Sequence, residues 1–177
     1  MDKIPLTNYQ FIAYFLPGFV FMVCGYISYE PISDISSLLD CTKDLGIPFL
    51  ILCLLLSFIA GLVFDAVRNG IVDNVLDGLI KWKILPKLFE VNWSFFFKEN
   101  AEKVGYFYAR YFTYYCFDYN LVLSLIASLV VIDIHSQLPH KMLVTWIGII
   151  AIAVLKIDAL SLRIEMRKAT NLNNPNP

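Results

Sequence analysis

The chain has 177 residues, of which 58% are hydrophobic and 16% charged, and its formal net charge is −1. Soluble domains usually have roughly 45–50% apolar and about 25% charged residues, so the composition argues against an ordinary soluble fold. The lack of a basic surplus argues against direct binding of nucleic acid. The four cysteines, which form no C-x-x-C pair, indicate neither a disulfide framework nor a zinc site.

Apolar residues are concentrated in four blocks, at about 11–29, 47–64, 114–134 and 142–160. Each block is close to the ~20 residues that an α-helix needs to cross ~30 Å of hydrocarbon. The strictly apolar core of the third block runs only from Leu121 to Ile132. The aromatic residues before that core resemble an interfacial belt that extends it, and they are Tyr111, Phe112, Tyr114, Tyr115 and Tyr119. The sequence therefore predicts an all-α polytopic membrane protein with about four transmembrane helices.

The distribution of Lys and Arg predicts the orientation of these helices. Twelve of the fourteen basic residues lie before the first block, between the second and third blocks, or from Lys156 onward. Cytoplasmic loops carry such an excess, so both termini and the long loop are expected in the cytoplasm. With no targeting signal evident, we expect a multi-pass protein of a bacterial inner membrane.

Four regions follow along the chain. Residues 1–64 hold the first two transmembrane helices, and 65–113 form a cytoplasmic helical segment. Residues 114–168 hold the last two transmembrane helices, and 169–177 form a disordered tail. The pattern after Asp65 stays helical as far as residue 80, so the second helix is expected to extend into the cytoplasm until Pro86 excludes helix.

The second block contains small and polar residues at a spacing of four. Within the membrane part, Ser57, Ala60 and Gly61 are expected to form a helix-packing face, because small residues let backbones approach closely. The cytoplasmic part holds a polar face or gate, formed by Asp65, Arg68, Asn69, Asp73 and Asp77. At 3.6 residues per turn this spacing drifts by roughly 40° per step, so only three or four successive members share a face.

Two further features of the spans are candidate functional elements. Asn120, Ser124 and Ser128 share one face of the third span, where they either line a pore or form hydrogen bonds between helices. Pro17 and Gly18 in the middle of the first span are a candidate hinge, because proline removes a backbone hydrogen bond.

No catalytic constellation is evident in the sequence, and we expect no enzyme activity, no cofactor and no metal. Asp133, His135 and His140 are close in sequence, but a fourth ligand is lacking. Asp73 and Asp77 resemble the last aspartate pair of the CDP-alcohol phosphotransferase motif, which would imply a lipid-modifying enzyme. The remaining residues of that motif are missing.

The size, four-pass layout and lack of catalytic residues resemble the small membrane effectors of bacterial anti-phage defence systems, the Hailong type in particular. This resemblance covers the layout of the whole chain and no motif. It implies a homo-oligomeric channel in the lipid bilayer, held shut by a cytosolic regulatory protein. The alternatives are a non-conducting membrane scaffold or accessory subunit and a small lipid phosphotransferase-like enzyme.

Overall fold

The computed structural model describes residues 8–29, 46–92, 94, 101–135 and 141–171. The predicted tail beyond Asn171, the first outer loop, and His140 lie outside these residues. Throughout the described ranges the regular structure is helical.

The helices are named here in chain order. They are α1 (Asn8–Tyr29), α2 (Ile47–Val67), α3 (Asn74–Lys81), α4 (Ala101–Phe107), α5 (Thr113–His135) and α6 (Lys141–Asn171). A π-helical turn, Arg68–Asp73, joins α2 to α3, and a second, Tyr108–Phe112, joins α4 to α5. A short 3₁₀ turn, Lys87–Phe89, follows α3.

Four of the resulting helices are long and apolar enough to cross a membrane, which confirms the predicted fold class. The second runs without interruption over Ile47–Lys81, which is 35 residues. At 1.5 Å per residue it is about 50 Å long and exceeds the hydrocarbon thickness, as expected for an extended helix. The fourth continues to Asn171 and so includes the first three residues of the predicted tail, 169–171.

The contacts between helices define their relative directions. Asn120 and Ser124 on α5 contact Ala13 and Pro17 on α1 in the same order, so these two helices are parallel. On α2 and α3 the order is reversed, because Asn120 contacts Asp65 whereas Tyr115 contacts Asp73. On α6 the order is also reversed, because Arg163 contacts Tyr115 whereas Gly148 lies against Leu129. The first and last described residues therefore lie at the same end of the bundle, which the charge distribution predicts to be cytoplasmic.

The bundle is apolar outside and partly polar inside. On α2 the buried residues are Ser57 and Gly61, whereas large aliphatic residues of α2 and α6 are exposed on the outer surface. Exposed aliphatic surface of this extent has no favourable partner in water, and a bilayer supplies one. The polar stripes of α2 and α5 consequently face other helices of the same chain.

Candidate functional site

Two arginine side chains are almost completely buried where the long helices converge. Arg68, in the first π turn, is 1% exposed, and Arg163, on α6, is 0% exposed. A buried guanidinium group is costly unless carboxylates and hydrogen-bond acceptors surround it. The groups that surround these two arginines define the candidate site.

Arg68 is bound by carboxylates of its own helix. Its Nη1 donates to Asp73 Oδ2 at 2.7 Å, and its Nη2 donates to Asp65 Oδ1 at 2.9 Å. The guanidinium group also lies 5.6 Å from the ring centre of Phe112 and 5.7 Å from that of Tyr115. Two ion pairs and two aromatic faces thus compensate for the lost hydration of Arg68.

Arg163 joins four parts of the chain. It ion-pairs with Asp77 through Nη2, and its Nη1 lies 3.4 Å from Asp73 Oδ1 and 2.9 Å from the Tyr115 hydroxyl oxygen. Its Nε donates to the Phe89 carbonyl oxygen at 2.8 Å. The Tyr115 hydroxyl in turn donates to Asp73. We call Asp65, Arg68, Asp73, Asp77, Tyr115 and Arg163 the ion network.

The first π turn explains how Arg68 reaches Asp73. In a regular α-helix, residues five apart point in different directions, whereas i→i+5 hydrogen bonding aligns them. The turn Arg68–Asp73 has this bonding pattern, so the two side chains meet on one face. Single π turns are often found at functional sites, where they redirect a side chain.

The second π turn lies close to the first in space. Within it the Thr113 hydroxyl donates to the Tyr108 carbonyl oxygen, five residues earlier, at 2.9 Å. The turn also carries Phe112, whose ring packs against Arg68. Both long helices therefore depart from α-helical geometry at the ion network.

The ion network lies at the expected membrane boundary. A crossing helix needs about 20 residues. The outermost apolar residue at the opposite end of each helix is Ile47 on α2, Ile134 on α5 and Met142 on α6. About 20 residues counted from each of these end at Ala66, Tyr115 and Ser161. All three are network members or lie within two residues of one. The charged groups are thus expected at the level where three helices leave the hydrocarbon.

The polar stripe of α5 packs against α1 of the same chain. Asn120 Nδ2 lies 3.5 Å from the Ala13 carbonyl oxygen and 3.3 Å from Asp65 Oδ1, while the Ser124 hydroxyl donates to the Pro17 carbonyl oxygen at 2.5 Å. Ser128 is buried beside Cys24. Of the two predicted roles, these contacts correspond to hydrogen bonding between helices. Whether the stripe also lines a pore stays a prediction.

Replacing Ser124 with alanine is expected to lower the unfolding free energy by about 0.6 kcal/mol, the usual value for a hydrogen bond between membrane helices. Thermal unfolding of the detergent-solubilised protein measures this change. Ser161→Ala, at an exposed position of α6, is the matched control. A Ser124 variant as stable as this control would mean that the contact with Pro17 contributes nothing.

The predicted packing face lies where α1 crosses α2. A Cβ atom on Gly18 would overlap the Ser57 carbonyl oxygen, and one on Gly61 would overlap the Tyr14 carbonyl oxygen. Ala60 is partly buried nearby. Pro17 lies inside α1 without ending it, and its carbonyl oxygen accepts the bond from Ser124. Gly18 thus has a packing function, and the hinge stays a prediction.

Some residues of the candidate site are not marked by the sequence. Arg163 contributes to the predicted orientation and Tyr115 to the predicted aromatic belt, and neither is predicted as a site residue. Asp118 on α5 is also buried, and its carboxyl group faces Asp158 on α6. No motif marks these residues, because their partners are distant in sequence.

The remaining predicted residues are placed as follows. Asn69 is exposed and donates to Asp65 Oδ2 at 3.3 Å. Asp73 and Asp77, the pair that resembles a phosphotransferase motif, both bind Arg163. Within the described ranges, no three His, Cys, Asp or Glu side chains are grouped to hold a metal ion. Asp133 instead pairs with Lys141 at 3.2 Å.

No protein-family model matches the chain, and no curated protein or solved structure matches it either.

Proposed function

We propose that this protein is an oligomeric membrane channel, or pore-forming effector, that is gated through its cytoplasmic segment. The observation that carries the proposal is the ion network, in which two buried arginines join α2, α3, α5 and α6 at the membrane boundary. Buried charges in such positions are expensive and commonly belong to ion paths or moving elements.

The network is suited to transmit a displacement of the cytoplasmic segment. Arg163 holds the Phe89 carbonyl group, so the turn after α3 is tied directly to α6. Its contacts with Asp73 and Asp77 tie the same helix to the extension of α2. When these bonds break, each buried charge needs a new partner. The network therefore favours two discrete arrangements over gradual deformation.

A pore in this proposal forms between copies of the chain. The interior of one bundle is filled where α1 meets α2 and α5, since Gly18, Gly61 and Ser124 contact backbone atoms of neighbouring helices. The proposed partners are the lipid bilayer, further copies of the chain and a cytosolic regulatory protein. A role in bacterial anti-phage defence, at the inner membrane, belongs to the same proposal.

Replacing Tyr115 with phenylalanine tests the gate with little change of shape. The variant removes the hydroxyl group that donates to Asp73 and lies 2.9 Å from Arg163 Nη1. Losing one bond to a charged group, worth about 1.5–3 kcal/mol, shifts a closed–open equilibrium by roughly tenfold or more. We expect faster ion flux through proteoliposomes, at an unchanged oligomeric mass.

The control for this experiment is Tyr114→Phe, one residue away and 46% exposed. Its flux should equal that of the wild type. If Tyr115→Phe and wild type both form a defined oligomer and give the same flux, the ion network does not gate conduction. Absence of flux from every variant, in a protein of defined mass, would instead favour a scaffold.

A non-conducting scaffold or accessory subunit is the second candidate. It is favoured by the contacts of Asn120 and Ser124 with carbonyl groups of α1. In these contacts the polar stripe of α5 holds helices of one chain together. A lipid-modifying enzyme is a weaker proposal, because Arg163 forms ion pairs with both Asp73 and Asp77, the two aspartates that resemble the phosphotransferase motif. It would require a magnesium-dependent activity that Asp77→Asn abolishes.

A further inference from the structure

An open cavity of about 490 Å³ lies beside the ion network, between the end of α3 and the turn Lys87–Phe89. Three lysines line it, Lys81, Lys83 and Lys87, together with two carboxylates, Asp77 and Glu90. Two apolar side chains complete the lining. A cavity of this size admits a small polar headgroup.

The charge distribution favours an anionic occupant. Asp77 also forms the ion pair with Arg163, so its negative charge is compensated by a residue that does not line the cavity. Of the other charged residues that line the cavity, Glu90 is negative and the three lysines are positive. Lysine is a common ligand of phosphate groups, which it binds as a point charge.

The backbone at Lys83 holds one of these lysines in an unusual conformation. Its φ angle is 61°, in the left-handed region that glycine usually occupies after a helix. Ile84 N donates to the Leu79 carbonyl oxygen at 2.9 Å, and Lys83 N donates to that of Ile80 at 3.0 Å, which closes α3. Glycine would adopt this backbone conformation more easily, whereas lysine adds a positive charge beside the cavity.

The surface around the cavity combines basic and apolar side chains. Trp82, Ile84 and Leu88 alternate with the lysines and are 75%, 64% and 46% exposed. The bond between Arg163 and the Phe89 carbonyl oxygen ties the adjoining turn to α6, two residues after Ser161, where that helix is expected to leave the hydrocarbon. Basic residues interleaved with tryptophan and aliphatic side chains are typical of surfaces that contact lipid headgroups.

We propose that this cavity binds the phosphate group of an anionic phospholipid. Lys81, Lys83 and Lys87 contact the phosphate, while Trp82, Ile84 and Leu88 contact the glycerol and upper acyl region of the same leaflet. This site does not depend on whether the protein conducts ions. Basic pockets beside transmembrane helices bind acidic headgroups in this way.

The test is lipid retention by the full chain in detergent, measured by native mass spectrometry. Phosphatidylglycerol is titrated in parallel with phosphatidylcholine, which has a phosphate but no net charge. The wild type should retain phosphatidylglycerol preferentially. Because each lysine near an acidic headgroup contributes about fivefold in affinity, Lys81→Gln/Lys83→Gln/Lys87→Gln should lose roughly a hundredfold.

Two further variants separate charge from folding. Lys83→Gly removes one ammonium group at a position that suits glycine, so it should weaken retention about fivefold and leave thermal stability intact. Lys168→Gln removes an exposed charge of α6 that pairs with Glu165, and it should change nothing. Equal retention of phosphatidylglycerol by wild type and triple variant overturns the proposal.

A soluble phosphate source is distinguished by competition. Inorganic phosphate at millimolar concentration should not displace phosphatidylglycerol if Trp82, Ile84 and Leu88 contribute to binding. Complete displacement would overturn the lipid assignment and identify the cavity as a site for free phosphate. Equal retention of phosphatidylcholine and phosphatidylglycerol would also overturn it, because the lysines would then play no part.

Discussion

Gly61→Ala is expected to lower the unfolding free energy by about 3 kcal/mol, at the upper end of the usual cost of overpacking. The added Cβ atom would overlap the Tyr14 carbonyl oxygen, which belongs to the backbone and cannot rotate away. Relief by separating α1 from α2 is also costly, because Gly18 rests against Ser57 in the same way. The apparent Tm of the detergent-solubilised protein should fall by several degrees or more.

Gly25→Ala is the matched control, because it lies on α1 and its added Cβ atom would meet no atom within 4 Å. Alanine has the higher helix propensity, so this variant should be at least as stable as the wild type. If both alanine variants unfold at the same temperature, the close approach of α1 and α2 is not a determinant of stability.

Arg163→Met is the second substitution with a large expected effect. Methionine is apolar and unbranched, so it removes the charge with little change of side-chain length. Asp77 and the Phe89 carbonyl group lose their bonds to Arg163, while Asp73 keeps its bonds to Arg68 and Tyr115. Removing one partner from a buried ion pair costs about 3–5 kcal/mol, so we expect a lower Tm and poor recovery of folded protein.

Arg167→Met, one turn further along α6, makes the same chemical change at a partly exposed position and should be nearly neutral. A double variant, Arg163→Met/Asp77→Asn, should regain part of the lost stability, because the negative charge that Arg163 balanced is also removed. Full stability of Arg163→Met alone would contradict the view that the ion network holds the helices together.

These stability effects determine which variants can report on function. Gly61→Ala and Arg163→Met are expected to reduce the amount of folded protein, so a loss of flux in either would not identify a gate. Tyr115→Phe removes one hydroxyl group within the same network and is better suited to a flux measurement. A leucine at Asn120 would have a similar drawback, since Asn120 is completely buried against α1 and α2.

The number, extent and relative direction of the membrane helices follow from the sequence alone. A block of about 20 apolar residues has few alternatives to a crossing helix, because its backbone must satisfy its own hydrogen bonds in lipid. The extension of the second helix is also local, since no proline interrupts the pattern before Pro86. The spacing of Ser57 and Gly61 predicts a helix-packing face, and both residues lie where α1 approaches α2, since small residues let backbones come together.

The partners of the polar residues were decided only by the tertiary structure. Arg163 lies 90 residues from Asp73 in sequence, and a single arginine after a membrane helix has the same sequence signature whether it is buried or in solvent. The π turn adds a further reason. The predicted drift of the polar face assumed 3.6 residues per turn, whereas i→i+5 bonding over Arg68–Asp73 changes the phase and aligns Asp73 with Arg68. Helix periodicity is a local property, whereas the compensation of a buried charge depends on every helix that packs around it.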